Sequence, residues 1–153
     1  MKIKIRKAKK SDSKEIIRLI NELAKFEKLA PPTLSAKKRL INDAFGRNPL
    51  FFVLLAEAEG SIVGYAFYFF TYSSFKARKT LYLEDIFVTE SMRRFGVGKL
   101  FFKEMLKIAK AEKCARMEWC VLDWNVNAIN FYDKLGAKPL KEWIYYRKLI
   151  GNK

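Results

Sequence analysis

Glu84 and Asp85 are adjacent carboxylates inside the otherwise apolar run Leu81 to Val88. An acid pair in such a run is costly unless it is paired or functional. Strand alternation points the two side chains to opposite faces. The chain continues as Thr89-Glu90-Ser91-Met92-Arg93-Arg94-Phe95-Gly96-Val97-Gly98-Lys99, a basic loop with two glycines opening a helix. Backbone N–H groups at a helix N-terminus are unpaired and aim at one point. The helix dipole adds about half a positive charge there. Glycine lets the main chain approach a ligand closely, and Arg93, Arg94 and Lys99 add charge, so the segment suits a phosphate group. It is not a dinucleotide fingerprint, because Phe101 holds the third glycine position. It is not a Walker loop either, because Leu100 follows Lys99 where Ser or Thr is required. The plainer alternative is a glycine-rich helix cap beside surface arginines.

The chain has no histidine among its 153 residues, which removes Ser-His-Asp triads, Cys-His pairs and His-ligated metals. Any general base is a carboxylate, Lys, Tyr or ordered water. Cys114 and Cys120 lack metal-site spacing and read as reduced thiols of an intracellular protein. No metal is expected. Lys and Arg number 31 against 16 Asp and Glu, a formal net charge of +15. That excess favours anionic company such as phosphates, nucleic acid or an acidic cofactor. The lysines are spread along the chain rather than gathered in one arm, which disfavours a nucleic-acid footprint. Residues Met1 to Lys7 alternate charged and apolar types and show no apolar signal region. The longest apolar run, Leu50 to Ala56, is far short of the ~20 residues a membrane span needs. The expectation is a soluble cytoplasmic protein with no membrane partner. Its length and 50% hydrophobic content predict one domain over residues 1–153.

Hydrophobic periodicity predicts the elements that position these groups. Ile3 and Ile5, alternating with Lys2, Lys4 and Arg6, predict a half-exposed strand. Asp12 and Glu15 have capping-box spacing before a helical stripe of Ile16, Ile17, Ile20, Leu23 and Ala24. Pro31-Pro32 breaks the chain. Ser35 is placed to cap a second helix, with Leu40, Ile41, Ala44 and Phe45 inward and Gly46 as its stop. Leu50–Ala58 and Ser61–Phe70, joined by Glu59-Gly60, read as an antiparallel hairpin buried on both faces. Thr71–Lys79 reads as a polar loop and Leu81–Val88 as a strand. Gly96–Glu112 reads as a helix with Leu100, Phe101, Met105, Leu106 and Ala109 inward. Met117–Val121 is a predicted strand, Asn125 or Asn127 caps a helix stopped by Gly136, and Trp143–Leu149 is a last strand. The order β-α-α-β-β-β-α-β-α-β predicts an α/β (α+β) fold, a mixed central sheet with helices on both faces.

Arg93-x-x-Gly96-x-Gly98, after a strand ending Phe87-Val88, resembles the coenzyme A pyrophosphate loop of the GNAT N-acetyltransferase superfamily. The predicted order of elements is also similar to that fold. The segments Asn21 to Glu27, Tyr68 to Tyr72, Leu81 to Val88, Trp124-Asn125 and Asn130 to Tyr132 resemble its spermidine/spermine, diamine and thialysine acetyltransferase branch. The resemblance covers nearly the whole chain. It implies acetyl-CoA as acyl donor, no metal and a homodimer. It implies main-chain contacts to the cofactor from Ile86, Phe87 and Val88, where the strands splay apart. It implies further contacts from Arg93, Arg94, Phe95, Gly96, Val97, Gly98 and Lys99, and from Asn125 and Tyr132. Tyr132 takes the place of the acid that protonates the departing thiolate. A phenol of pKa ~10 can donate to a thiolate whose conjugate acid has pKa ~8–9. Glu84 takes the place of the base that relays the amine's proton through water. Phe26, Glu27, Glu84, Asp85 and Glu142 correspond to the acidic substrate channel. Phe26 departs from the tyrosine usual in the mammalian members, and the stretch 138–143 is shorter than theirs. On residue type alone, Tyr132 also reads as a core aromatic, Asn125 as a helix cap and Glu84 as the partner of a surface lysine.

The reaction implied is direct acetyl transfer to a primary amine of a small cationic substrate, either a polyamine or diamine or a thialysine-like amino acid. A chain of net charge +15 repels a polycation at long range. Screening confines that repulsion to ~8–10 Å, so a local acidic channel can override it. The alternatives are acetylation of protein lysines or N-termini, or a basic nucleic-acid-associated or coenzyme A-sensing protein on the same fold.

Overall fold

Alternating and helical apolar patterns set out the regular elements, which the computed structural model describes over residues 1–151. They are β1 (Ile3–Lys7), α1 (Ser13–Phe26), α2 (Leu34–Phe45), β2 (Phe52–Ala58), β3 (Ser61–Ser73), β4 (Arg78–Val88), α3 (Val97–Ala111), β5 (Arg116–Trp119) and α4 (Val126–Lys134). The strands form one sheet in the order β1-β2-β3-β4-β5. Each neighbouring pair is antiparallel except β4 and β5, which run parallel. By backbone proximity the chain divides into two units, Met1–Cys120 with the sheet and α1 to α3, and the residues from Val121 onward with α4.

The sheet of the first unit is covered on both faces, as its apolar runs require. Leu55 and Tyr65 are cross-strand partners, and both pack with Ile16, Leu19, Ile20 and Leu23 of α1. Their neighbours Leu54 and Ala66 pair on the opposite face, which α3 covers. Gly64 sits beneath α3, where an added Cβ would meet the Phe87 carbonyl oxygen at 2.7 Å and the Phe101 ring at 3.3 Å.

Several local expectations are corrected. Thr33, not Ser35, caps α2, its hydroxyl accepting from the Ala36 N–H at 3.2 Å. Asp12 stands at the N-cap of α1, but its carboxylate is taken by Arg6 at 2.8 and 2.9 Å and by the Lys9 N–H at 2.7 Å. Gly46 does stop α2, as expected, but in an extended conformation, and an added Cβ there would meet the Asn42 carbonyl oxygen at 2.6 Å. The buried stripe of α3 is Val97, Phe101, Phe102, Met105 and Ala109, and Leu106 faces solvent. The expected loop 71–79 shrinks to residues 74–77, because the β3–β4 ladder continues through Ser73 and Arg78. No strand forms over Trp143–Leu149, so the observed order ends with α4. That segment has strand-forming residues, but no strand of the described sheet pairs with it.

Candidate functional site

The geometry of the site begins with an irregularity in β4. Phe67 pairs with Asp85 and Tyr68 with Leu83, which leaves Glu84 without a partner on β3. Glu84 is therefore a β-bulge, and strict alternation of Glu84 and Asp85 to opposite faces does not hold here. Bulges re-aim side chains and are common beside active sites. The parallel ladder with β5 ends at the same place, with Leu83 opposite Trp119. From Asp85 to Val88 the strand pairs, among the described residues, with β3 alone. The opening expected around Ile86, Phe87 and Val88 is present, and their other backbone edge is available to a ligand.

The acids gather around this bulge. Tyr65 lies diagonally across the ladder from Asp85, since Tyr65 pairs with Phe87 and Phe67 with Asp85. Its hydroxyl donates to Asp85 Oδ2 at 3.0 Å. Burial pushes the Asp85 carboxyl up to about 6, with Glu84 and Glu27 adding to the shift and the Tyr65 hydrogen bond opposing it. Glu27, just beyond the end of α1, is raised by burial and then by Glu84. Burial, Asp85, Glu27 and Glu84 together hold the Tyr65 phenol above its ordinary value. A cluster that resists its own negative charge in this way stabilises a cation placed among its members. Glu84 itself is exposed. Among the described residues, no three His, Cys, Asp or Glu side chains come together to hold a metal ion.

The basic loop lies at the far end of β4. A single 3-10 turn, Glu90–Met92, leads into it. Arg94 and Gly96 take left-handed φ angles of 69° and 81°, and Gly96 is the N-cap of α3. No side chain caps that helix, so its first N–H groups remain for a ligand. Gly96 would meet nothing within 4 Å if it carried a Cβ, so its φ rather than crowding calls for glycine. Arg94, Phe95 and Lys99 are exposed, and Gly98 lies in the first turn of α3. Arg93 is held otherwise. Its Nε donates to the Val88 carbonyl oxygen at 3.1 Å, and its guanidinium lies 4.9 Å from the Phe26 ring and 5.6 Å from the Phe87 ring. The donor set and the open strand edge fit an elongated anionic ligand carrying phosphate and amide groups, as coenzyme A does.

In the second unit, the Asn125 side chain caps α4, its Oδ1 accepting from the Ala128 N–H at 3.3 Å. Tyr132 is half-buried on α4, 5.5 Å from the Phe131 ring. Gly136 ends the helix at φ 80°. Glu142 is exposed. In the first unit, an open groove of about 540 Å³ between α1 and α2 is floored by Ile17, Leu34 and Ile41, and none of the expected site residues lines it. Tyr65 was not foreseen. Its only signal is a polar-tipped aromatic in a buried run, and its link to Asp85 needs the β3–β4 register.

Residues 16–137 match the acetyltransferase (GNAT) family. The chain is 40% identical over 155 residues to a thialysine N-epsilon-acetyltransferase of Mus musculus, covering 94% of this chain and 91% of that one. It is 38% identical over 153 residues to a human spermidine/spermine N(1)-acetyltransferase-like protein 1, covering 94% of this chain and 22% of that one. A solved structure described as a probable acetyltransferase superposes with a TM-score of 0.84 at 21% identity, covering 98% of this chain and 99% of the other. The chain belongs to the GNAT family of acetyltransferases. Its reaction class is acetyl transfer to an amine.

Proposed function

We propose that the protein is an acetyl-CoA-dependent N-acetyltransferase acting on a primary amine of a small cationic substrate, a diamine or polyamine or a thialysine-like amino acid. One observation carries the substrate class. Asp85, Glu27 and Glu84 lie close enough to interact, and burial first, then the charges of Glu84 and Glu27, pushes the Asp85 carboxyl up to about 6. A bound cation relieves that strain. The names of the similar proteins, a thialysine and a spermidine/spermine acetyltransferase, agree with it.

Bound acetyl-CoA supplies an acetyl group activated as a thioester. The N–H groups at the start of α3, with Arg93, Arg94 and Lys99, hold its phosphates, and Phe95 and Val97 flank them. The open backbone edge of Ile86 to Val88 pairs with its amide arm, and Asn125 adds a polar contact. Glu27, Asp85 and Glu142 hold the cationic amine, with the ring of Phe26 beside them. Glu84, exposed at the bulge, takes the amine's proton through water. Tyr132 Oη holds the proton that the departing sulfur needs. No metal enters. Residues 1–153 act as one catalytic domain, and the protein works as a homodimer. The free thiols of Cys114 and Cys120 suit a reducing compartment such as the cytoplasm.

The test is thiol release from acetyl-CoA with spermidine, spermine, putrescine, thialysine, lysine and a basic protein offered separately. Turnover on one small amine is expected. Turnover only on the protein would remove Glu27 and Glu142 from substrate binding.

A further inference from the structure

Beyond the bulge the β3–β4 ladder is regular, so Asp85 and Phe87 share a face with their partners Phe67 and Tyr65. Tyr65 and Phe87 belong to the core beneath α1, and Phe67 packs against it. Asp85 is therefore a carboxylate on the core face of the sheet, where such a group is costly unless it is paired. The chain has a net charge of +15, yet the charges acting on Asp85 are both negative. They are Glu84, beside it on β4, and Glu27, just beyond α1. The guanidinium of Arg93, 5.6 Å from the Phe87 ring, is turned to the Val88 carbonyl oxygen. What Asp85 receives instead is a neutral donor, the Tyr65 hydroxyl, at 3.0 Å from Oδ2. Tyr65 is completely buried and packs in one cluster with Ile16, Leu19 and Ile20. Burial and the nearby acids hold its phenol above its ordinary value, so it stays a donor throughout the range in which Asp85 titrates.

We propose that Tyr65 is a positioning residue for the amine: its buried hydroxyl fixes Oδ2 of Asp85 and leaves Oδ1 to take the substrate's ammonium group. The proposal rests on the reading of Asp85, Glu84 and Glu27 as the amine site, and it deepens that reading. A carboxylate offers two oxygens, and the phenol engages one. A lysine or arginine in that place would neutralise the charge that the ammonium needs. A phenol orients the carboxylate and leaves its charge in place. Its hydrogen bond also favours the ionised form against burial, Glu84 and Glu27, which extends the pH range over which Asp85 holds a cation.

Tyr65→Phe keeps the ring and removes the donor. Carbon-13 NMR follows the Asp85 carboxyl from about pH 4 to 8, alone and with spermidine or thialysine. In the unaltered protein one of these amines is expected to lower the Asp85 midpoint by about one pH unit or more. In Tyr65→Phe the midpoint without amine should rise, and the effect of the amine should shrink. An amine that moves Asp85 equally in both proteins overturns the proposal and leaves the amine site standing. An Asp85 that responds to neither amine also overturns it, and thiol release from acetyl-CoA, measured alongside, reports separately on acetyl transfer. In steady-state kinetics the variant's KM for the amine should rise about tenfold and its kcat fall by less. The acid limb of kcat/KM should move to higher pH. An unchanged KM and pH profile with only a lower melting temperature would reduce Tyr65 to a packing residue. If the variant misfolds, the unaltered protein still decides. Its Tyr65 ring resonances should follow the Asp85 midpoint and the displacement of that midpoint by the amine, and resonances indifferent to both overturn the proposal.

Discussion

The first unit of the chain, residues 1–120, buries Ile16, Leu19, Leu55, Tyr65, Leu81, Phe101 and Met105 completely, while residues 121–151 bury no side chain. The first has a core on each face of a sheet; the second has a capped helix and an uncovered apolar row. The acid cluster, the bulge and the basic loop all lie in the first unit. Tyr132, Asn125 and Glu142 lie in the second. Stability and the binding framework therefore belong to one region, and the expected proton donor belongs to the other.

The largest effect should come from breaking the core. Phe101→Ala removes a fully buried ring and is expected to cost about 3–5 kcal/mol. Val126→Ala, at a position 59% exposed, should stay within about 0.5 kcal/mol. Denaturant midpoints of the two variants measure the contrast directly, and equal losses would erase it.

Kinetics divide the regions in another way. Gly98→Asp, in the first turn of α3, is expected to lower coenzyme A affinity at least about 100-fold by adding bulk and negative charge at the anion site. Tyr132→Phe should leave that affinity nearly intact and lower turnover by about 100-fold. Calorimetric titration and steady-state rates separate the two. Full turnover in Tyr132→Phe would remove the acid role from α4.

Asp85 sharpens the electrostatic side of the comparison. Its carboxyl is raised to about 6, so between about pH 4 and pH 6 the folded protein holds this proton more firmly than the unfolded chain does. The stability it contributes is complete below about pH 4 and is lost as pH rises toward 6. Asp85→Asn should abolish that fall, a difference on the order of 3 kcal/mol, while keeping an acceptor for the Tyr65 hydroxyl. Melts of both proteins from pH 4 to 7 isolate it. A parallel decline in the two would locate the strain elsewhere. The smallest effect is expected at Asn125→Ala, which loses the α4 cap and about 1 kcal/mol of local stability. Hydrogen exchange of residues 126–134 checks it.

What could be read in advance followed from local physics. The 58–61 turn, the buried hairpin, the glycine stop at 136 and the loop after Val88 all reside in short segments. The same holds for the Asn125 cap. What could not be read depends on pairing. The bulge at Glu84 exists only relative to β3, and so does the contact of Tyr65 with Asp85. Asp12 looked like a cap until Arg6, on the neighbouring strand, took its carboxylate. Trp143–Leu149 has the composition of a strand but pairs with no strand of the described sheet. The acid cluster was legible as residue types, and its mutual strain was not, because Glu27 is far from Glu84 in sequence.

Arg93 rests on the ring of Phe26, so one aromatic face joins the loop proposed to hold the anion and the end of α1 proposed to meet the amine. An anion that draws the guanidinium away frees that face for a cation. Thermodynamic linkage makes the effect reciprocal, since whatever the first ligand does to the second ligand's affinity, the second does to the first. Under the proposed function, a substitution at Phe26 is expected to alter two binding constants and the coupling between them. An amine-specificity comparison across this position is interpretable only at a stated cofactor occupancy.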